Sequence, residues 1–468
     1  MAYDAWSLAN YGVDRYTNPY PVYLINFDGG QSALYAYCTM FCIKIFGFSL
    51  WAIRLPAVFF GCLSMICIYL LAKKAKGKSF AILAMLLVAI CPWEIMQSRF
   101  GLDCNLMGFF MLLAIYALVS AKKTWHYLIV GVIFGITLYT YILSYIILPI
   151  FLCLTIAYLL WTKKITWKQI LIMGIPIALL AIPLVLVLLV NMGLLPEIQL
   201  SFTTIPKLPL FRQGEISFRN IMENSHILEN LLSKDGFEFT SIPEYGTIYY
   251  LSIPFLLFGI ILQIKQWIKT HKEKQFDIGM VMLFAGISVF LCIICVKTPT
   301  IYKANAIYIP LLYFTAMGIY ACIRQIHITI LPIMLMYIIS FILFCNSYFS
   351  IFGEKDFYCF NDDLISVMEH LEKYEDKGIY FNVPVEKPYI YTLLYHPISP
   401  YEFYHSATFE DKGVLRSYKN YYFYDKGETV QNPNEEAIYI TKFKQDVDLL
   451  RQMNFKEEIY EGYFIFYQ

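Results

Sequence analysis

Ten long apolar runs constrain this sequence more than any other feature. A helix that crosses a bilayer needs about 20 mostly apolar residues. The runs cover residues 54–72, 79–97, 104–121, 127–142, 144–161, 169–190, 248–264, 276–296, 305–323 and 328–347. The fourth and fifth runs adjoin, and we divide them near Ser144 because one helix of their combined length would overshoot the bilayer. The pattern predicts an α-helical polytopic membrane protein with about ten spans.

The composition agrees with a membrane protein and argues against several other classes. Hydrophobic residues make up 59% of the 468 residues and charged residues 15%, against about 45–50% and about 25% in soluble proteins. The net charge of +1 gives no electrostatic basis for binding nucleic acid. Most of the twelve cysteines sit inside the apolar runs, where we expect small apolar side chains rather than disulfides.

The lysine and arginine residues of the short loops predict the orientation. One side comprises the loops 73–78, 122–126, 162–168, 265–275 and 324–327 and holds fourteen of these residues. The short loops on the other side hold three. Because the more basic side faces the cytoplasm, residues 1–53, 191–247 and 348–468 are predicted to be extracytoplasmic on a plasma membrane.

Two domains are predicted. Residues 1–347 form the transmembrane domain, with 1–53 as a first outer loop that holds interfacial helices at 2–11 and near 31–46, and 191–247 as a large outer loop. Residues 348–468 show both strand-like and helix-like periods and predict a small extracytoplasmic α+β domain. The expected elements of this domain are helices at 361–375 and 445–454, strands at 378–383, 420–425 and 437–443, and a strand pair within 457–467.

The outer placement of residues 1–53 raises a topological problem. Neither a signal peptide nor a span precedes them in this sequence. We therefore expect that a transmembrane helix is missing ahead of Met1. The alternative is that the segment crosses the membrane unaided.

Polar residues at the outer face are the candidates for chemistry, because the spans contain almost no charge. The first outer segment holds Asp4, Asp14, Arg15 and Gln31. A carboxylate in this position can act as a general base, and the guanidinium can hold a phosphate. The alternative is ordinary solvated loop charge.

Four further candidates stand at the outer ends of later runs. Arg54 and Lys303 are each expected to hold a lipid phosphate or, alternatively, to anchor a helix at the interface. Arg99 and Asp103 are four residues apart, so on a helix they share a face. We expect them to present a cation and a carboxylate to a substrate, or else to cap a turn.

No cofactor motif is present in the sequence. It contains no HExxH, P-loop, GxGxxG or paired CxxC pattern, and its seven histidines are scattered. We expect no cofactor and assign no metal ligand, while a requirement for a divalent cation stays open.

Three elements in order carry a resemblance to a known family. They are Gly47–Pro56 (G-x-S-x-W-x-x-R-L-P), Arg99–Asp103 (R-x-x-x-D) and Tyr302–Pro310 (Y-K…Y-I-P). Together with the acidic first loop, they resemble the GT-C glycosyltransferases. The most similar branch contains the protein O-mannosyltransferases, the lipid A aminoarabinose transferase and bacterial mannosyltransferase-like proteins. The resemblance covers about residues 1–325 and excludes the tail.

The resemblance implies a mechanism on the outer face of the membrane. A carboxylate deprotonates an acceptor hydroxyl, which attacks the anomeric carbon of a polyprenyl-phosphate sugar in one inverting step, and Arg and Lys stabilise the leaving phosphate. Asp103 matches the second cavity carboxylate of the family. Gln31 stands where relatives have His or Lys. Counting back from Gly12, the expected catalytic acid falls ahead of Met1, and Asp4 is the nearest remaining acid.

We therefore expect a glycosyltransferase that moves a hexose or pentose from a polyprenyl phosphate to a hydroxyl on a glycan, cell-wall polymer, lipid or protein. This exact chain is expected to lack the catalytic acidic pair. A multi-pass transporter or lipid flippase is the alternative, but it predicts mid-membrane charges that the spans lack. A non-catalytic membrane scaffold is the third interpretation.

Overall fold

The computed structural model divides the chain into two compact units. It describes all residues except 27–28, 210–214, 225, 234–236, 238, 354–360, 375, 411–413, 426 and 432. The membrane unit comprises Gln31–Leu189 and Arg212–Tyr348. The α+β unit comprises Met1–Gly30, Val190–Phe211 and Phe349–Gln468. The tail therefore shares a unit with N-terminal residues that the sequence analysis assigns to the transmembrane domain.

Helices build the membrane unit. After α1 (Ala2–Tyr11), which belongs to the α+β unit, the chain forms α2 (Leu34–Phe46), α3 (Leu50–Lys76), α4 (Lys78–Ala89), α5 (Pro92–Ser98), α6 (Asn105–Ser120), α7 (His126–Leu138), α8 (Ser144–Trp161) and α9 (Trp167–Asn191). It continues with α10 (Asn220–Glu223), α11 (Ile227–Leu232), α12 (Ser252–Thr270), α13 (Ile278–Ile293), α14 (Tyr308–Gln325) and α15 (Ile330–Gly353).

Each of the ten apolar runs contains a helix, but the predicted number of spans is too high. Among the described residues, five helical segments are long and apolar enough to cross a membrane: Leu50–Lys76, Ser144–Trp161, Trp167–Asn191, Tyr302–Gln325 and His327–Ile351. A sixth is obtained if α4 and α5 form one broken span. The helices α6, α7 and α13 have 16, 13 and 16 residues. At about 1.5 Å per residue they fall short of a hydrocarbon core of about 30 Å.

Two helix breaks follow from the local sequence. Helix α7 ends at Leu138 and α8 begins at Ser144, which confirms the division of the longest apolar run. Helices α4 and α5 meet at a bend of 57°. Cys91 is extended there and Pro92 occupies the first turn of α5, because a residue before proline disfavours the helical conformation.

Two glycines allow α12 and α14 to pack closely. A Cβ added to Gly259 would lie 1.9 Å from the Phe314 carbonyl oxygen, and one added to Gly318 would lie 2.0 Å from the Phe255 carbonyl oxygen. The contact is therefore reciprocal and made by backbone. Small residues of this kind let helices approach each other in a membrane, where there is no hydrophobic drive for association.

We expect Gly259→Ala to lower the thermal unfolding midpoint of the purified chain by several degrees, since overpacking a tight contact costs about 1–3 kcal/mol. Gly174→Ala on α9 is the matched control, because nothing lies within 4 Å of a Cβ at that position. Equal midpoints for the two variants, measured in the same detergent, would contradict this packing.

A seven-stranded mixed sheet forms the centre of the α+β unit. Its strands are β5 (Ile379–Asn382), β6 (Thr408–Phe409), β7 (Leu415–Tyr418), β8 (Tyr421–Phe423), β9 (Ile438–Thr441), β10 (Lys456–Tyr460) and β11 (Tyr463–Tyr467). Their order is β10-β11-β9-β5-β8-β7-β6. Strand β5 pairs in parallel with β8 and β9, and the other neighbours are antiparallel. Two short two-stranded sheets are separate from this sheet. One consists of β1 (Tyr23–Asn26) and β2 (Gly29–Ser32), and the other of β3 (Ile198–Leu200) and β4 (Thr203–Ile205).

The tail elements largely confirm the sequence prediction. The first predicted helix is α16 (Asp362–His370) with a 3-10 turn at Leu371–Tyr374, while its last position, 375, lies outside the described residues. The second is α19 (Lys444–Gln452), and strands β5, β8, β9, β10 and β11 lie within or within one residue of their predicted ranges. Four further elements are not predicted from the sequence: β6, β7, α17 (Tyr389–Tyr395) and α18 (Pro400–Ser406).

Helix α1 confirms the helix predicted at residues 2–11, and its buried face packs into the α+β core. Tyr3 belongs to one apolar cluster with Leu364 and Phe403. The Tyr3 hydroxyl donates a hydrogen bond to the Ile398 carbonyl at 2.7 Å. Of the apolar stripe predicted to be interfacial, Ala5 is buried, whereas Ala2, Trp6 and Ala9 are half-buried.

Candidate active site

Asp103 is a buried carboxylate in the loop between α5 and α6, with 6% of its surface exposed. Its Oδ2 accepts a hydrogen bond from the Ser32 N–H at 3.1 Å, and its Oδ1 accepts one from the Cys104 N–H at 2.9 Å. The Gln31 side chain donates another. The structure thus brings together two of the predicted site residues, Gln31 and Asp103.

The surroundings of Asp103 make it a stronger base than an ordinary aspartate. Burial raises the pKa of Asp103 to about 6, although the hydrogen bonds from Ser32, Cys104 and Gln31 act in the opposite direction. Removing a carboxylate from water disfavours its charged form, whereas donors stabilise that form. A carboxyl group with a pKa near 6 is largely ionised at neutral pH and is well matched to proton transfer there.

Arg99 and Asp103 do not share a helical face. Helix α5 ends at Ser98, and the Asn105 side-chain amide donates to the carbonyls of Gln97 and Phe100 at 2.9 and 2.7 Å. These bonds satisfy carbonyls that a helix end leaves without intrahelical partners. The Arg99 guanidinium instead lies over the Tyr348 ring, 5.4 Å from its centre.

Three side chains, Trp93, Asn105 and Asn305, form a polar junction between distant parts of the sequence. The Trp93 indole N–H donates to the Asn305 Oδ1 at 3.0 Å, and the Asn305 Nδ2 donates to the Asn105 Oδ1 at 3.0 Å. Asn305 is 2% exposed. The junction joins α5 and α6 to the 3-10 helix Tyr302–Ile307, which carries Lys303.

A row of aromatic rings makes a second connection between the Arg99 and Lys303 segments. Phe100 contacts Phe239 edge-on at 5.1 Å between ring centres, Phe239 contacts Phe237 at 5.6 Å, and Phe237 contacts Tyr302 at 5.7 Å. Phe100 follows Arg99 in the chain, and Tyr302 precedes Lys303. The second and third predicted elements of the site are therefore neighbours in the folded membrane unit.

The two other predicted cations are Lys303 and Arg54, and each lies beside a hydrogen bond to a backbone carbonyl. The half-buried Lys303 donates from Nζ to the Thr298 carbonyl and hydroxyl oxygens, each at 3.0 Å. Arg54 is half-buried on α3 and follows Ile53, whose carbonyl accepts a hydrogen bond from the Tyr35 hydroxyl at 3.0 Å. Lys303 is the second residue of the 3-10 helix Tyr302–Ile307, and Arg54 is the fifth residue of α3.

Asp4, Asp14 and Arg15 lie in the α+β unit. The Arg15 Nε donates to the Asp4 Oδ1 at 2.8 Å, and both side chains are 2% exposed. Burial alone would raise the pKa of Asp4, but the Arg15 guanidinium holds it well below its usual range. The two side chains thus form a buried ion pair in which the charge of Arg15 offsets that of Asp4, and Asp4 is therefore a weak base.

Asp14 organises a turn in the same segment. Its Oδ1 accepts hydrogen bonds from the backbone N–H groups of Tyr16 and Asn18, both at 2.9 Å. Its Oδ2 accepts a bond from the Asn18 amide at 3.1 Å. This pattern is typical of an aspartate that closes a loop on itself. Burial raises the pKa of Asp14 to about 6.

Four residues of the site are not predicted from the sequence: Trp93, Asn105, Phe237 and Phe239. Trp93 and Asn105 lie inside predicted spans, and a polar side chain inside an apolar run is the signal that would have marked Asn105. Phe237 and Phe239 lie in the large outer loop, which shows no periodicity. Among the described residues, no group of three His, Cys, Asp or Glu side chains is placed to hold a metal ion.

Comparisons with known proteins agree with the predicted resemblance. Residues 31–190 match a family described as dolichyl-phosphate-mannose-protein mannosyltransferase. This range includes Gln31, Arg54, Arg99 and Asp103. A search of curated proteins found no match.

Two solved structures share the fold at low sequence identity. The first is ArnT from Cupriavidus metallidurans bound to undecaprenyl phosphate, with a TM-score of 0.51 and 9% identity over 99% of this chain and 92% of that one. The second is the Archaeoglobus fulgidus oligosaccharyltransferase in complex with Zn and sulfate, with a TM-score of 0.52 and 14% identity over 80% of this chain and 51% of that one. The match to apo ArnT likewise spans about half of that protein, 53%. The two matches with TM-scores above 0.5 establish the fold.

We expect Asn305→Ala to lower the thermal unfolding midpoint by a few degrees, because it leaves the Trp93 N–H and the Asn105 oxygen without their partner. Losing the partner of a buried polar group costs about 1–3 kcal/mol. Asn10→Ala is the control, since Asn10 is exposed and donates to the carbonyl of Trp6, one turn before it in α1. A midpoint for Asn305→Ala that equals the control would show that the polar junction contributes nothing to stability.

Proposed function

We propose that this chain, a membrane protein with the fold of the GT-C glycosyltransferases, transfers a sugar from a polyprenyl phosphate to a hydroxyl acceptor. One observation carries the proposal. The membrane unit joins the loop of the buried carboxylate Asp103 to the segment of Lys303 through the polar junction. The match to a mannosyltransferase family model over residues 31–190 supports the class of reaction.

The polyprenyl-phosphate donor is supported by the ArnT structure that shares this fold, in which that protein is bound to undecaprenyl phosphate. A phosphate ester of a long lipid remains anchored in the bilayer while its headgroup reacts. Arg99, Lys303 and Arg54 lie at helix ends of the membrane unit, where a cation can reach a phosphate at the membrane surface. We assign these three residues to the phosphate of the donor.

Asp103 is the better of the two predicted catalytic carboxylates. In the proposed reaction it accepts the proton of the acceptor hydroxyl as that oxygen bonds to the anomeric carbon. The bond from this carbon to the phosphate oxygen breaks, and the lipid phosphate leaves with the electron pair. Asp103 has a raised pKa, whereas Asp4 is neutralised by Arg15, and a carboxylate of low pKa accepts protons weakly.

The orientation of the segment Tyr302–Gln325 supports a site on the extracytoplasmic face of a plasma membrane. This candidate span begins beside Lys303 and ends beside Arg324. The Arg324 end belongs to the loop set that holds fourteen basic residues in the sequence, which predicts a cytoplasmic location. The Lys303 end then lies on the opposite side. The sugar and the acceptor, whether glycan, cell-wall polymer, lipid or protein, are left to experiment.

We expect Asp103→Asn to lower the rate of sugar transfer by about 10²–10⁴, the usual contribution of a general base. The assay incubates membranes that contain the chain, or a longer protein that contains it, with a labelled polyprenyl-phosphate sugar. Asp448→Asn, an exposed substitution on α19, is expected to keep the full rate. Full activity of Asp103→Asn at an unchanged unfolding midpoint would contradict the assignment.

The same role predicts a pH dependence. Because the pKa of Asp103 is raised to about 6, the ionised base is lost as the pH falls through about 6 rather than through about 4. The transfer rate should therefore rise with pH to a plateau above about 7. A rate that stays constant from pH 7 down to pH 5 would exclude Asp103 as the base.

A further inference from the structure

A basic cavity of about 610 Å³ lies where α3, α12 and α14 end. Four of its lining side chains are cationic: Lys76, Lys265, Lys269 and Arg324. No acidic residue is among the described residues that line it. Lys265 and Lys269 are one helical turn apart on α12, so both point to the same side of that helix.

Compensation of helix dipoles accounts for only part of this positive charge. Lys76, Lys269 and Arg324 each stand in the last turn of a helix, where a cation interacts favourably with the negative end. Three helix ends amount to about −1.5 charges, against four positive side chains. A surplus of about +2.5 charges remains for a ligand.

The neighbouring acid Asp277 is held by amides. Its Oδ2 accepts hydrogen bonds from the side chains of Gln263 at 2.6 Å and Gln266 at 3.1 Å. The Gln266 Oε1 in turn accepts a bond from the Lys76 Nζ at 3.3 Å. The Gln266 amide therefore links Lys76 to the Asp277 carboxylate, so the hydrogen bond from Lys76 goes to an amide oxygen.

The basic cavity is distinct from the candidate active site. Lys303 and Arg324 stand near opposite ends of the segment Tyr302–Gln325. At about 1.5 Å per residue, the separation along the helix is about 30 Å, close to the thickness of the hydrocarbon core. A phosphate bound by Arg99 and Lys303 does not reach the basic cavity.

We propose that the basic cavity binds the phosphate headgroup of an anionic membrane phospholipid. Beside the cations, the lining contains Leu262, Met317 and Ala321, so polar and apolar walls meet as they do at the headgroup–acyl boundary of a lipid. Basic pockets between membrane helices on the side rich in Lys and Arg are typical binding sites for such headgroups. The bound lipid stabilises the contact of α12 with α14.

The test compares the full chain in nanodiscs of phosphatidylcholine with nanodiscs that contain increasing fractions of phosphatidylglycerol of the same acyl chains. The thermal unfolding midpoint is measured for the wild type, for the pair Lys265→Gln and Lys269→Gln, and for the pair Lys122→Gln and Lys123→Gln. The control pair removes the same charge from exposed positions outside the cavity. Each variant is compared with itself in phosphatidylcholine, so a less stable variant still reports on lipid binding.

We expect phosphatidylglycerol to raise the midpoint of the wild type and of the control pair. The cavity pair should require at least about tenfold more phosphatidylglycerol for half of the effect, since each basic residue contributes about 1 kcal/mol to anionic lipid binding. Equal responses of the two pairs would overturn the proposal in favour of diffuse surface charge. An equal stabilisation of the wild type by glycerol phosphate in phosphatidylcholine nanodiscs would overturn the assignment to a lipid, as would the absence of any response.

Discussion

The arrangement of the membrane unit depends on the free-energy cost of burying a polar group without a hydrogen-bond partner among apolar helices. Asn305 and Trp93 are almost fully buried, and each satisfies the other in the polar junction with Asn105. Asn105 also closes the carbonyl end of α5. Because these bonds can form only when three segments meet in one arrangement, the junction determines where the Asp103 loop and the Lys303 segment lie. Everything proposed for the candidate active site depends on that arrangement.

Three acidic residues that the sequence does not distinguish have different surroundings in the folded chain. Asp4 is paired with the Arg15 guanidinium, and Asp14 accepts hydrogen bonds within its own turn. Asp103 is buried and accepts hydrogen bonds from backbone N–H groups and a side-chain amide. The pKa of Asp4 falls and the pKa of Asp103 rises, although both are buried. The difference comes from whether a full positive charge or only dipoles face the carboxylate. It is the reason to assign base chemistry to Asp103.

The segment Tyr302–Gln325 links two chemically different ends of the membrane unit. One end brings Lys303 to the junction with the Asp103 loop, and the other brings Arg324 to the basic cavity. The close contact of α12 with α14 at Gly259 and Gly318 lies between these ends. The length of this segment places the Lys303 region and the basic cavity about one bilayer thickness apart, so the two sites proposed for phosphate groups would face different leaflets.

The sequence by itself determined the helical membrane class, the break at Ser144, most of the tail elements and the candidate residues at span ends. These properties depend on apolar runs, on local periods and on the cost of placing charge in lipid, all of which are readable along the chain. Only the tertiary structure decided the lower number of spans, because it gives α6, α7 and α13 only 16, 13 and 16 residues. It also decided the burial of α1 in the α+β core and the meeting of Phe100 with Phe239. Such contacts join residues far apart in sequence, and no local pattern encodes them.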